Sequence, residues 1–150
     1  MKQAIVTGAT GYIGSYFVEY LVKKKIEVFA LGRKSLDNIS NVRKARLEGS
    51  KYLKIDMNSI HLLKELFIKN NWMIGDSCVF INLAWGGQSK LSDLNVKDQM
   101  MNVIWSVNAF KVSNDLKCNK FLQIGTMEEA FTYKYLTLDY KKNSEYNRHV

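Results

Sequence analysis

The sequence predicts a doubly wound α/β fold, a parallel sheet with helices on both faces. Three observations carry that prediction. Short apolar runs recur along the chain, stretches with a three- and four-residue apolar period separate them, and a glycine-rich turn joins the first run to the first helix. The 150 residues suit one domain with its own core, and 47% hydrophobic with 24% charged residues excludes a disordered or fibrous chain.

The elements follow in order. Gln3-Ala4-Ile5-Val6 reads as a buried strand, and Tyr12 to Lys24 as a helix whose apolar face is Ile13, Phe17, Tyr20 and Leu21. Glu27 to Leu31 is the second strand. Arg33 to Ser50 is polar and basic, a loop with room for a short helix. Lys51 to Ile55 makes the third strand, ended by Asp56. Ser59 is the expected cap of a helix to about Lys69, with Ile60, Leu63, Leu66 and Phe67 on one face. Ser77 to Leu83 is the fourth strand, Asp93 to Leu116 a long helix, and Lys120 to Ile124 the fifth strand. Val96, Met100, Val103, Ile104 and Val107 give the long helix more apolar surface than one face needs. They are expected to pack on the sheet or to pair with a second copy. Phe131 to Val150 is polar and tyrosine-rich with no clear period.

Charge and cysteine usage narrow the partners. The net charge is +8, but lysines dominate the basic residues and scatter from Lys2 to Lys142, the densest run being Lys23-Lys24-Lys25. A reader of nucleic acid concentrates charge on one face and favours arginine, so a solvated surface and no nucleic-acid partner are expected. The longest mid-chain uncharged stretch, Ser77 to Ser89, is too short to cross a bilayer as a helix, so no membrane partner is expected. Cys78 and Cys118 lack CxxC spacing and suit reduced thiols of a cytoplasmic protein. His61 and His149 share no ligand spacing with them, so no metal site is expected.

The chemistry concentrates in Thr7-Gly8-Ala9-Thr10-Gly11-Tyr12-Ile13-Gly14, between the first strand and the first helix. Gly8 permits the tight turn, Gly11 lets backbone approach a pyrophosphate, and Gly14 allows close helix packing. The amides of Tyr12 and Ile13, at the positive end of the helix, then face the phosphates. An acidic residue at the end of the second strand would hold a ribose 2′-hydroxyl, but Gly32 stands there, followed by Arg33 and Lys34. With no carboxylate and a guanidinium alongside, NADP is preferred and NAD is the second choice. The alternative has Arg33 stacked on the adenine or pointing to solvent.

Thr7 to Gly14 resembles the TGxxGxxG fingerprint of the extended short-chain dehydrogenase/reductases, the NAD(P)-dependent epimerase/dehydratase family acting on nucleotide sugars. Later landmarks resemble the family in the same order. Asp56 closes the third strand, where the family's acidic residue contacts the adenine. Asn82-Leu83-Ala84-Trp85 resembles the stretch along the cofactor, which brings in Leu83 and Ala84. Asn102 matches an asparagine near the start of the long helix, and Lys120 to Thr126 resembles the strand that ends in the catalytic Ser/Thr. The resemblance covers about Lys2 to Phe131. It implies a Rossmann-like domain over residues 1–130 with five strands present. Residues 131–150 would be a tail leading toward an absent catalytic helix, with the C-terminal strands and substrate region missing.

Catalysis in that family takes a Ser/Thr to orient the sugar hydroxyl, a Tyr as general base or acid, and a Lys four residues later. The ammonium brings the phenol pKa toward neutrality. Thr126 fills the first role by position. Glu128, with Glu129, stands where the family's dehydratases carry an acidic group, and surface charge is the equal alternative. The single Tyr-x-x-x-Lys, Tyr20 to Lys24, lies in the first helix. Two functions therefore stay open. One is the cofactor-binding part of a nucleotide-sugar epimerase, dehydratase or ketoreductase, incomplete as a catalyst. The other is a non-catalytic dinucleotide-binding module that regulates a partner. A homodimer through the long helix is implied too, although the family pairs a second helix, the one carrying Tyr and Lys.

Overall fold

The computed structural model describes residues 1–87 and 96–125. Five strands form one parallel sheet: β1 (Gln3–Thr7), β2 (Glu27–Gly32), β3 (Lys51–Lys54), β4 (Cys78–Asn82) and β5 (Lys120–Gln123), in the order β3-β2-β1-β4-β5. Every pair is parallel, with Ile5 opposite Phe29 on one side and Phe80 on the other, and Phe80 opposite Phe121. The helices are α1 (Tyr12–Lys23), α2 (Asn41–Arg46), α3 (Leu63–Lys69) and α4 (Val96–Asp115). Short 3-10 turns at Leu36–Asn38 and Met57–Leu62 precede α2 and α3. Among the described residues no helix is long and apolar enough to cross a membrane.

The central strands are apolar on both sides because both sides are covered. Ala4, Val6, Val28, Ala30, Val79 and Ile81 pack with Val18 and Leu21 of α1 on one face. Ile5, Phe29 and Phe80 pack on the other face with Ile60, Leu63 and Phe67, and with Ala109 and Val112 of α4. This is the pleat alternation of a sheet buried between two helical layers.

Three differences from the sequence expectations have clear causes. In α1 the buried residues are Gly14, Ser15, Val18 and Leu21, while Ile13 and Tyr20 are exposed. The helix turns Gly14 inward because only a residue without Cβ can lie against the carbonyl of Gly8. Ser59 is not the cap of the next helix. Asp56 instead caps the 3-10 turn before it, its Oδ1 accepting from the Asn58 amide at 2.9 Å, and α3 starts after Leu62 with no side-chain cap. In α4, Val96, Met100, Val103, Ile104 and Val107 are exposed rather than packed on the sheet, which instead receives Ala109 and Val112.

Each of α1, α3 and α4 ends in the same way before its chain turns back toward the sheet. Lys25, Asn71 and Lys117 adopt left-handed backbone, with φ of 59°, 53° and 56°. The next residue in each case closes a six-residue ring to the helix: Ile26 to Leu21, Trp72 to Phe67 and Cys118 to Ser113. These are Schellman closures, and each aims the apolar residue after the left-handed position into the core.

Candidate functional site

The strand order reverses between β1 and β4, so a crevice opens beyond the carboxyl ends of those two strands. Its floor is a polar rivet. The Thr7 hydroxyl donates to Oδ1 of Asn82 and accepts from the amides of Leu83 and Ala84, each at 3.1 Å. Asn82 passes the link on, its Nδ2 donating to Oε1 of Gln123 at 2.8 Å. β1, β4 and β5 are thus pinned together where the groove begins.

The glycines shape that groove by what they exclude. Gly8 has φ +65°, and a Cβ on it would stand 2.8 Å from the carbonyl of Leu83. A Cβ on Gly14 would stand 2.2 Å from the Gly8 oxygen, so α1 begins directly against the turn. Gly14 therefore serves helix-to-turn packing more than the helix-to-sheet packing its spacing suggests. A Cβ on Gly11 would come within 3.1 Å of the Gly8 oxygen, and Gly11 heads α1 with no side-chain cap and no acid in the first helical turn. The positive end of α1 is left for an anion, as a pyrophosphate-binding turn requires.

Two hollows adjoin across this turn and share Gly8, Gly11, Leu83, Ala84 and Trp85. The first, about 290 Å³, runs over the ends of β2 and β3 and is lined by Arg33, Lys34, Arg43, Asp56, Met57 and Trp105. The second, about 400 Å³, is mostly apolar and includes Tyr12, Ile13, Gly14, Ile124 and Gly125. A basic hollow and an apolar one, joined over a helix N-terminus, suit a two-headed ligand with phosphates at its middle. The residues therefore fit a bound dinucleotide.

Of the residues singled out from the sequence, Gly8, Thr10, Gly11, Tyr12, Ile13, Gly14, Arg33, Asp56, Leu83 and Ala84 all line one or other hollow. Asn102 does not. It is buried, its Oδ1 accepting from the Gly86 amide at 2.7 Å and its Nδ2 donating to the Gly86 carbonyl at 2.9 Å. It holds the loop after β4 to α4, a positioning role. Thr126 and Glu128 lie outside the described residues, as does the tail from 131 to 150.

The end of β2 carries no side chain for a steric reason. A Cβ on Gly32 would meet Cγ2 of Thr10 and the hydroxyl of Tyr52, each at 2.7 Å. That hydroxyl donates to the Lys34 carbonyl, and burial pushes the Tyr52 pKa up from its ordinary value. Sequence reasoning missed Arg43, whose Nη1 donates to the Thr10 carbonyl at 3.2 Å from α2. It also missed Trp105, whose Nε1 donates to Oδ1 of Asn58 at 2.8 Å. Neither stands at a spacing that marks it, because both reach the cleft from elements placed by tertiary packing.

Comparison with known proteins gives one family and one fold. Residues 4–149 match the model of the NAD dependent epimerase/dehydratase family. A UDP-glucose 4-epimerase of Cyamopsis tetragonoloba is 29% identical over 126 residues, 79% of this chain and 34% of that protein. The chain thus spans about a third of that relative. Among solved structures, UDP-glucose 4-epimerase from Bifidobacterium longum with NAD+ and UDP superposes with TM-score 0.63 at 19% identity, over 83% of this chain and 37% of that one. The dTDP-glucose 4,6-dehydratase of Bacillus anthracis with NAD gives 0.62 at 18%, over 85% and 38%. At these identities the structures speak for the fold.

Proposed function

The chain belongs to the NAD dependent epimerase/dehydratase family, and from that premise we propose that it is the dinucleotide-binding part of an enzyme converting nucleotide sugars, with NADP preferred over NAD. The observation that carries the proposal is the joined pair of hollows over the uncapped start of α1, basic at one end and apolar at the other. The relatives named above support the substrate class, since they act on UDP-glucose or dTDP-glucose. When bound, the nicotinamide supplies hydride transfer.

This chain's residues do the rest. The amides of Tyr12 and Ile13 take the pyrophosphate, and Ile13, Ile124 and Ala84 keep water from the nicotinamide end. Thr7, Asn82 and Gln123 hold the floor still. Thr126, one residue after Gly125, is assigned to the sugar hydroxyl, and Glu128 to a proton of the sugar. Asp56 is assigned to the adenine edge, its carboxylate already held by the Asn58 amide.

The preference for NADP rests on chemistry at the β2 end. No carboxylate stands at Gly32, while Arg33, Lys34 and Arg43 line the same hollow. A guanidinium beside a 2′-phosphate makes charge-assisted hydrogen bonds, each contributing about 1.5–3 kcal/mol. Titration calorimetry with both cofactors tests this. Arg33→Ala and Arg43→Ala should each weaken NADP roughly tenfold or more and leave NAD within about twofold. Equal losses for both cofactors would reassign these arginines to the adenine or the pyrophosphate. A wild-type preference for NAD would overturn the choice of cofactor.

The exposed residues of α4 support self-association as well. Val96, Met100, Val103, Val107 and Phe110 recur at alternating spacings of four and three, which is the seam of a helix pair. Sedimentation of wild type against Val103→Glu reads it directly: a dimer that the variant reduces to monomer is the expected result.

A further inference from the structure

Two thiols meet at the end of the sheet opposite the groove. Cys78 opens β4 and is fully buried, while Cys118 is partly exposed and follows the left-handed cap of α4. They are far apart in sequence, but both join the cluster on the α3–α4 face of the sheet. The backbone fixes both. The Cys118 amide donates to the Ser113 carbonyl at 2.9 Å, and the Asn119 amide donates to the Cys78 carbonyl at 2.8 Å. Val79 pairs with Lys120 in the next step of the ladder, so Asn119 stands opposite Cys78 and Cys118 is one residue off.

With strands about 4.8 Å apart and successive Cα atoms about 3.8 Å apart, the two cysteine Cα atoms lie within about 8.6 Å of each other. A disulfide takes Cα atoms about 4.4–6.8 Å apart, a window inside that limit. Both side chains pack on that one cluster, and a thiol–thiol hydrogen bond shifts both acidities. That bond, with burial added, raises the Cys78 thiol well above the ordinary range. The same bond stabilises the Cys118 thiolate and lowers its pKa. A partly buried nucleophile thus sits near a buried thiol that can resolve it.

We propose that Cys78 and Cys118 form an oxidisable dithiol that a peroxide converts to an intramolecular disulfide. The Cys118 thiolate attacks one peroxide oxygen and the O–O bond breaks. The departing hydroxide takes up a proton as water, and a sulfenic acid remains on Cys118. The Cys78 sulfur then displaces the sulfenic oxygen, which leaves as a second water with the Cys78 proton. Two thiols lose two electrons in all, and one hydrogen peroxide becomes two waters. The bond closes a loop of roughly 40 residues that holds α4 and the segment after β4, so the oxidised chain should melt several degrees higher.

The test uses the 150-residue chain, folded, treated with hydrogen peroxide, and needs no cofactor. Titratable thiols should fall from two to none, the intact mass should drop by two hydrogens, and peptide mapping should join Cys78 to Cys118. Dithiothreitol should restore the thiols and the lower melting temperature. In Cys78→Ala the reaction should stop at a sulfenic acid that dimedone traps on Cys118. Oxygen added to Cys118 of the wild type without a link, or a disulfide only between chains, would overturn the proposal. So would two thiols that survive peroxide sufficient to oxidise free cysteine.

Discussion

Thr7 and Gly8 are adjacent residues with opposite means of holding the same loop. Thr7 holds it through a hydroxyl that accepts from two amides, and Gly8 through the absence of a Cβ. Thr7→Val removes the acceptor at constant shape and leaves the Leu83 and Ala84 amides without it. It should cost about 1–3 kcal/mol in urea unfolding. Gly8→Ala must overcome both the left-handed backbone and the contact with Leu83, and a loss of about 2–4 kcal/mol is expected, with dinucleotide binding abolished. The glycine spacing was legible in the sequence because a turn that tight admits no other residue. Arg43 was not legible, since its role depends on where α2 lies against the glycine turn, and no local pattern encodes that position. Ile13 misled for a related reason: it has the right period for a core face, but the Gly14 contact with Gly8 rotates the helix and turns Ile13 to the groove.

At the scale of elements, the three left-handed helix ends are open to improvement. Glycine is the residue that adopts such a φ freely, yet lysine or asparagine stands in all three described closures. Lys25→Gly and Lys117→Gly should each stabilise by about 0.5–1 kcal/mol, measured as a raised denaturation midpoint at constant slope. The same substitution by alanine should give no such gain. These helix ends carried no glycine signal, yet the strands that follow two of them begin where the apolar runs placed them, at Glu27 and Lys120. A second element-level tie crosses β1, β2 and β3, where Glu27 accepts from Nε2 of Gln3 and Nζ of Lys51. The Gln3 bond first, then Lys51, lowers the Glu27 pKa in the folded chain. The contribution is therefore present above the ordinary glutamate pKa and is lost as pH falls through the lowered value. Glu27→Gln should flatten the acid limb of a stability–pH curve below about pH 4.5 and leave the alkaline limb unchanged.

For the whole molecule, the alternation of strand and helix was readable because both faces of the sheet are covered and its central strands are continuously apolar. Outward faces were less readable. The apolar residues of α4 have helical period, and period alone does not separate packing on the sheet from packing on another copy. The sheet order has a kinetic consequence as well. β1 is the first strand made, and it pairs with β2 about 24 residues on but with β4 only about 75 residues on. The groove needs that second pairing, because its floor joins Thr7 to Asn82 and its turn rests on Leu83. On a ribosome, the β1–β2–β3 half-sheet can assemble while β4 is still within the exit tunnel. The nucleotide pocket is then among the last features to form, since closing so long a loop comes late in folding. A ligand present during synthesis would meet a completed site only after the fourth strand has emerged.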